Sequence, residues 1–253
     1  MPFILDCSSK KSALESIANI FGCSSEHVAH VLLSLDLEKI YEENWDDIDI
    51  PAPQYLYEYV VDKLGKHEKL TEVIWFHGTR TLKENDLTKG IYSLNDSLSI
   101  VWDSLISSAP NETVQGNLKE LQNNGVGDHL YSLRTNGKIH WGPYGILVRD
   151  VAFNTDKLHQ HDYLGMPELV EDILNGYRKK FNTCLTEYYT EKLVPVLVKF
   201  KSTASLHDGC IETALGYLYK SVREETIDRL SVRCIDKKGS AIISDEIIDI
   251  EYV

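Results

Sequence analysis

Nowhere in this chain do apolar residues continue for the roughly 18 to 20 positions that a membrane span needs. The start, Met1-Pro2-Phe3-Ile4-Leu5-Asp6, reaches an acid too soon for a secretory leader, so a soluble, cytoplasmic protein with no membrane partner is expected. Cysteine is sparse as well. Cys7, Cys23, Cys184, Cys210 and Cys234 are odd in number and contain no Cys-x-x-Cys pair, which argues against a disulfide framework or a thiolate zinc site and predicts reduced, mostly buried thiols. Positive charge is in deficit, with 26 Lys and Arg against 39 Asp and Glu, a net of −13. Residues 1–60 alone hold three lysines against eleven acids. A field of this sign repels phosphate backbones and disfavours nucleic acid as a partner, while leaving room for a local pocket that takes an anion. What is present is ample apolar material: 43% of 253 residues can bury one large core or two small ones.

Helical spacing opens the chain. Leu14, Ile17, Ala18 and Phe21 fall on one face, and Val28, Val31, Leu32 and Leu35 repeat the pattern after Gly22, with Ser24 or Ser25 placed to cap the second helix. The pair could suggest a DNA-reading helix-turn-helix, but its second helix offers Glu26, His27 and His30 where base contacts call for Arg, Lys, Asn or Gln, so a packing or partner-binding role is expected. The run from Glu42 through Trp45, Asp46 and Asp47 to Asp49 breaks the pattern before a helix from Tyr55 to Leu64. A boundary near residue 66 then divides an acidic helical segment, 1–66, from a domain of α+β character, 67–253. In that domain Val73–Phe76, Gly145–Val148, Val194–Phe200, Leu230–Ile235 and Ile247–Val253 read as strands. Leu98–Leu105, Pro167–Phe181 and Ile211–Glu225 read as helices, and Pro110–Gly127 as a helical turn flanked by loop.

The stretch with most chemical content is Ile74-Trp75-Phe76-His77-Gly78-Thr79-Arg80, followed by Lys89-Gly90-Ile91. A buried strand ending in His-Gly-Thr sets an imidazole and a hydroxyl on either side of a glycine whose bare backbone lets a flat ligand approach its N–H and C=O. The plainer alternative is a strand-end turn with a capping Thr79 and a surface His77.

This segment, with a helix-like Leu82–Leu87 before Gly90-Ile91, resembles the first motif of the ADP-ribosyltransferase fold, as found in poly(ADP-ribose) polymerases and NAD-dependent RNA 2′-phosphotransferases. The resemblance covers some twenty residues. It implies a split β-sheet core that binds NAD as substrate, with His77 bonding the adenosine-side ribose, Gly78 gripping the nicotinamide carboxamide, and Thr79 and Arg80 supporting the loop. It further implies a strand-borne tyrosine stacking on nicotinamide, for which Tyr144 in Gly142-Pro143-Tyr144-Gly145 is preferred over Tyr92, which lies too close to His77. A turn in which the Tyr144 ring merely packs is the rival reading. The family's remaining element is a glutamate that stabilises the sugar cation formed as the glycosidic bond breaks. Glu246 in the terminal acidic run is the candidate, with Glu212, Glu168 and Glu171 as competitors. The phosphotransferase relatives use arginines instead, which keeps Arg80, Arg134 and Arg149 as alternative pocket cations.

Two other groupings have weaker chemistry. His159-Gln160-His161-Asp162 could offer metal ligands, but no recognised spacing fits, and Glu168, Glu171 and Asp172 suit the positive start of a helix. No metal is expected, and His161 and Asp162 remain substrate-side candidates. His129 and His140 flank the Tyr144 strand. No Gly-x-Ser-x-Gly elbow, no Walker loop and no nucleophile signature at Cys210 support a hydrolase, kinase or cysteine protease. The sequence therefore predicts an NAD-dependent ADP-ribosyltransferase releasing nicotinamide and modifying a macromolecule, as a toxin or defence effector could. A non-catalytic binding module on the same fold and an RNA-directed 2′-phosphotransferase-like enzyme are the alternatives.

Overall fold

In the computed structural model the described residues are 2–44, 48–137, 142–203 and 209–253. The predicted acidic residues Asp46 and Asp47, with Trp45, lie outside them, as do His140 and Trp141. In chain order the first elements are β1 (Ile4–Leu5), α1 (Lys10–Phe21), α2 (Ser25–Ser34), α3 (Leu37–Glu43), α4 (Ala52–Leu64), β2 (Glu72–Thr81) and β3 (Gly90–Ile91). Next come α5 (Leu94–Ser107), α6 (Glu112–Asn124), α7 (His129–Thr135), β4 (Tyr144–Ile146), α8 (Thr155–Leu158), α9 (Glu168–Phe181) and α10 (Thr186–Lys192). The last are β5 (Val194–Thr203), α11 (Cys210–Val222), β6 (Cys234–Asp236), β7 (Ile242–Ile243) and β8 (Ile247–Tyr252). The strands hydrogen-bond in the order β6-β4-β2-β5-β8, with β1 also on β2, and β3 pairs with β7 in a separate ribbon. This is an α+β chain.

Two compact units divide it. The first comprises Met1–Phe76, Ile146–Gln160 and Lys201–Ile235; the second comprises His77–Gly145, His161–Phe200 and Asp236–Val253.

The first unit is organised around α11. Every residue of that helix from Thr213 to Lys220 is buried, and α1, α2 and α4 pack on it. The N-terminal helices form where the spacing predicts. Ser9 and Ser12 close a reciprocal cap on α1, Gly22 ends it in the left-handed conformation, and Ser24, not Ser25, accepts from His27 N to start α2. Their apolar faces, Ala13, Ile17 and Ile20 on α1 with Val28 and Leu32 on α2, are almost wholly removed from water. Polar groups fix the register of this packing: the Tyr219 hydroxyl accepts from Leu37 N at 2.9 Å, and Lys220 pairs with Glu38 at 3.2 Å and Glu225 at 2.9 Å. Only Cys7 and Cys210 are buried thiols, while Cys184 and Cys234 are exposed, against the expectation that most would be inside.

The second unit buries α5, α6, α9 and α10 on one another through Trp102, Leu105, Leu118, Leu121, Ile173, Leu174 and Tyr189. Here the expected turn at Pro110–Gly127 is a full helix, α6. Asn111 caps it through Val114 N, and Val114, Leu118 and Leu121 form a buried stripe that outweighs the unfavourable glycine and asparagines. Burying Leu118 and Leu121 contributes roughly 1.5–3 kcal/mol each. Against β5, β8 runs antiparallel, with Val196 opposite Tyr252 and Val198 opposite Ile250. The expected strand at Leu230–Ile235 is shorter: Arg229–Ser231 form a 3-10 turn started by Asp228, and only Cys234–Asp236 are extended.

Candidate functional site

The run Val73-Ile74-Trp75-Phe76 is buried, as its β-branched and aromatic residues favour. The strand does not end at His77. It continues through Gly78, Thr79 and Arg80 to Thr81, because alternating threonines keep the backbone extended. The expected short helix at Leu82–Leu87 is a turn instead, with a 3-10 turn at Leu87–Lys89 delivering the chain to β3. Gly90 there has φ 130°, and a Cβ on it would lie 2.8 Å from the Ile242 carbonyl, so the close pairing of β3 with β7 requires glycine.

His77 and Tyr144 come together. His77 Nδ1 lies 2.7 Å from the Tyr144 carbonyl oxygen. A carbonyl can only accept, so Nδ1 carries the proton and donates. Burial lowers the imidazole pKa, an effect the bond to Tyr144 partly offsets. A ring held neutral in this tautomer presents Nε2 as an acceptor.

The segment carrying Tyr144 is tied in turn to the one before Glu246. Pro143 O accepts from Lys237 N at 3.1 Å, and Gly142 O accepts from Gly239 N at 2.8 Å. Lys237 Nζ reaches both carboxylate oxygens of Glu246, at 2.8 and 3.0 Å. Glu246 sits in the 3-10 turn Ser244–Glu246 ahead of β8, not within a closing strand, and its Oε2 also accepts from Ile243 N. His77, Tyr144 and Glu246 thus belong to one bonded succession, with the Glu246 charge matched by Lys237.

The face of Gly78 is covered. A Cβ placed there would meet Tyr163 Cβ at 3.4 Å and the Leu164 side chain at 3.6 Å. Tyr163 is a residue the sequence reading did not single out, although it stood inside the His159–Asp172 run. Its hydroxyl donates to Glu168 Oε2 at 3.1 Å, and Glu168 Oε1 accepts from Arg134 Nη2 at 3.0 Å. Arg134 also binds Asp172, whose pKa burial pushes up while the guanidinium pulls it back. The Tyr144 phenol is raised above its ordinary pKa by burial and by the negative charges of Asp236 and Glu168. Glu168, a competitor in the sequence reading, is therefore an electrostatic neighbour of Tyr144.

The remaining predicted residues divide plainly. Arg80 is spent on carbonyls, its guanidinium donating to Leu164 O, Thr190 O and Leu193 O, which fastens β2 to the segments that carry Tyr163 and α10. Thr79 is half-buried within β2. His161 is not on a strand; its Nε2 meets Met166 O at 2.7 Å and its ring packs edge-on against Tyr163. Asp162 accepts from Gly165 N, and His159 caps α8 in the left-handed conformation. Glu171, His129 and Tyr92 are exposed. Glu212, at the start of α11, and Arg149, whose guanidinium lies 4.7 Å from the Phe153 ring centre, belong to the first unit.

Comparison with known proteins adds little to this geometry. No family model matches the chain, and no solved structure matches it. It is similar to eIF-2-alpha kinase activator GCN1 of Dictyostelium discoideum, 28% identical over 162 residues, which are 64% of this chain and 5% of that protein.

Proposed function

We propose that the chain is an NAD-dependent ADP-ribosyltransferase that releases nicotinamide and passes ADP-ribose to a macromolecular acceptor. The observation that carries this reading is the neutral His77, turned by its bond to the Tyr144 carbonyl so that Nε2 can accept from a ribose hydroxyl. In this reading the Tyr144 ring lies against the nicotinamide, and the Gly78 amide and carbonyl receive the carboxamide once Tyr163 and Leu164 move off the face they cover. Glu246, anchored by Lys237, faces the sugar as positive charge grows there in the transition state. Thr79 and Arg80 hold the strand in place.

Nicotinamide release from NAD, measured on the purified chain and on His77→Ala, tests the reading. Release by the parent and at least a tenfold loss in the variant are expected; equal rates reject the role of His77. The non-catalytic binding module draws support from a different observation, the full commitment of Arg80 to three carbonyls and of Glu246 to Lys237. Absence of nicotinamide release together with unchanged melting in NAD favours that reading.

A further inference from the structure

The sheet ends at β8, which is paired on one side by β5 and, among the described residues, by no strand on the other. Val253 N donates to Pro195 O at 3.1 Å, so that residue turns its main chain towards β5. Main-chain groups alternate sides along an antiparallel strand, and those of Ile250 and Tyr252 therefore face outwards. Ile250 N accordingly donates to a neighbouring carboxylate, Asp249 Oδ1 at 2.9 Å, and not to a strand. The side chains at this edge are apolar. Ile250 stands opposite Val198 and Tyr252 opposite Val196, both valines wholly buried, so the apolar face of β5 runs on to the rim. The rim is open to solvent: Tyr252 is 52% exposed, and Ile248, where the register of β5 and β8 shifts, is 48% exposed. Outward main-chain groups beside exposed apolar side chains make a template for one more strand.

Charge selects the occupant. β8 carries Asp249 and Glu251 and no Lys or Arg, in a chain of net charge −13. A second copy pairing its β8 antiparallel with this one sets acid against acid. Glu251 meets Glu251 where Ile250 lies opposite Tyr252, and Asp249 meets Glu251 where Ile250 lies opposite Ile250. β5 shows the pattern that fits, with Lys199 opposite Asp249 and Val198 opposite Ile250. We propose that β8 is a docking edge for an extended basic peptide segment, which joins the sheet as a strand with apolar residues beside Ile250 and Tyr252 and Lys or Arg beside Asp249 and Glu251. The incoming main chain takes the Ile250 N–H from Asp249 and leaves that carboxylate to the cation. The inference does not depend on the NAD reading.

The test is fluorescence anisotropy of the full chain with a labelled nine-residue peptide of alternating lysine and valine. Binding with a Kd on the order of 10 μM is expected for a single short strand. A glutamate–valine peptide should bind at least about tenfold more weakly through charge, and a lysine–valine peptide N-methylated along one edge at least about tenfold more weakly through lost main-chain bonds. Tyr252→Lys, at an exposed position, should weaken binding by about tenfold. In hydrogen exchange, the bound lysine–valine peptide should protect the Ile250 and Tyr252 amides and leave that of Glu251, turned towards β5, little changed. No binding of the lysine–valine peptide, equal binding of either control peptide, or protection confined to residues outside β8 overturns the inference. So does a parent that sediments as a dimer which Tyr252→Lys splits, because the edge then belongs to a second copy of the chain.

Discussion

His77 and Tyr144, sixty-seven residues apart in the chain, are joined by a 2.7 Å hydrogen bond from the imidazole Nδ1 to the tyrosine main-chain carbonyl. The bond decides which ring nitrogen is left to accept, and burial keeps the ring uncharged. Both effects depend on β2 running on past Phe76 in extended form, which places His77 and Gly78 inside the strand.

A pH dependence follows from this bond. The folded-state pKa of His77 lies below its ordinary value of 6.5, so between the two values the unfolded chain binds the proton and the folded chain does not. Stability in that window therefore rises with pH and falls as pH drops through 6.5 towards the folded pKa. His77→Gln should flatten that part of a melting-temperature profile. NAD-induced stabilisation should weaken only below that window, as pH falls through the lowered folded value, because a protonated ring has no acceptor at Nε2.

Asp128 gives a second, independent profile. The Lys179 ammonium, bonded to Asp128 Oδ2 at 2.6 Å, holds its carboxyl below the usual value of 3.8, against burial, with help from Tyr131 N and Leu130 N at the start of α7. The stabilisation is complete above pH 3.8 and is lost as pH falls through the depressed folded value. Asp128→Asn keeps a capping oxygen for α7 but loses the charge that pairs with Lys179, and should melt below the parent at pH 7 by up to about 1 kcal/mol in stability. Melts at falling pH should show the two proteins converging below 3.8.

Much of this architecture is legible in the sequence, and the misses have physical causes. The buried run Val73–Phe76 and the spacing of α1, α2 and α9 state their structure locally, through burial patterns that need no partner to be named. The helix α6 is missed because Asn123, Asn124 and Gly116 weigh against it when taken singly, whereas the buried stripe of Val114, Leu118 and Leu121 decides it. The two-residue strand β1 has no period to read; only its parallel pairing with Glu72 and Val73 makes it a strand. At the candidate site, the identities of His77, Gly78 and Tyr144 are visible in the chain, but the cover that Tyr163 and Leu164 lay over Gly78 is a contact across more than eighty residues. The partners that hold Glu168 and Glu246 are nearer in the chain, Tyr163 five residues and Arg134 thirty-four from Glu168 and Lys237 nine from Glu246, but no period or motif marks them.

Packing around Gly176 offers a stability test remote from the site. A Cβ there would lie 2.3 Å from Val126 Cγ1 and 2.5 Å from the Val126 carbonyl, so α9 or the 126 segment must shift to admit it. Gly176→Ala should cost about 1–3 kcal/mol, despite the better helix propensity of alanine, and lower the melting temperature by roughly 2–12 °C in a chain of this size. Gly116→Ala on α6, where nothing lies within 4 Å of the added methyl, should raise the melting temperature slightly.

The ion pair of Lys237 and Glu246 makes a further prediction. Both side chains are largely buried, so Glu246→Gln leaves a lysine without its partner and should cost about 1–2 kcal/mol in denaturant melts. If Glu246 also meets the sugar cation, nicotinamide release in that variant should fall by about a hundredfold or more, far beyond what the loss of folded protein accounts for. A release rate that tracks only the folded fraction assigns Glu246 a structural part alone.

Nitrogen-15 NMR of the His77 imidazole, followed during titration of the full chain with NAD at neutral pH, tests the central claim most directly. The account predicts a neutral ring protonated at Nδ1 before NAD is added, and a shift confined largely to Nε2 as that atom accepts from the ribose. A ring protonated at Nε2, or an Nε2 signal unmoved by saturating NAD, would contradict it.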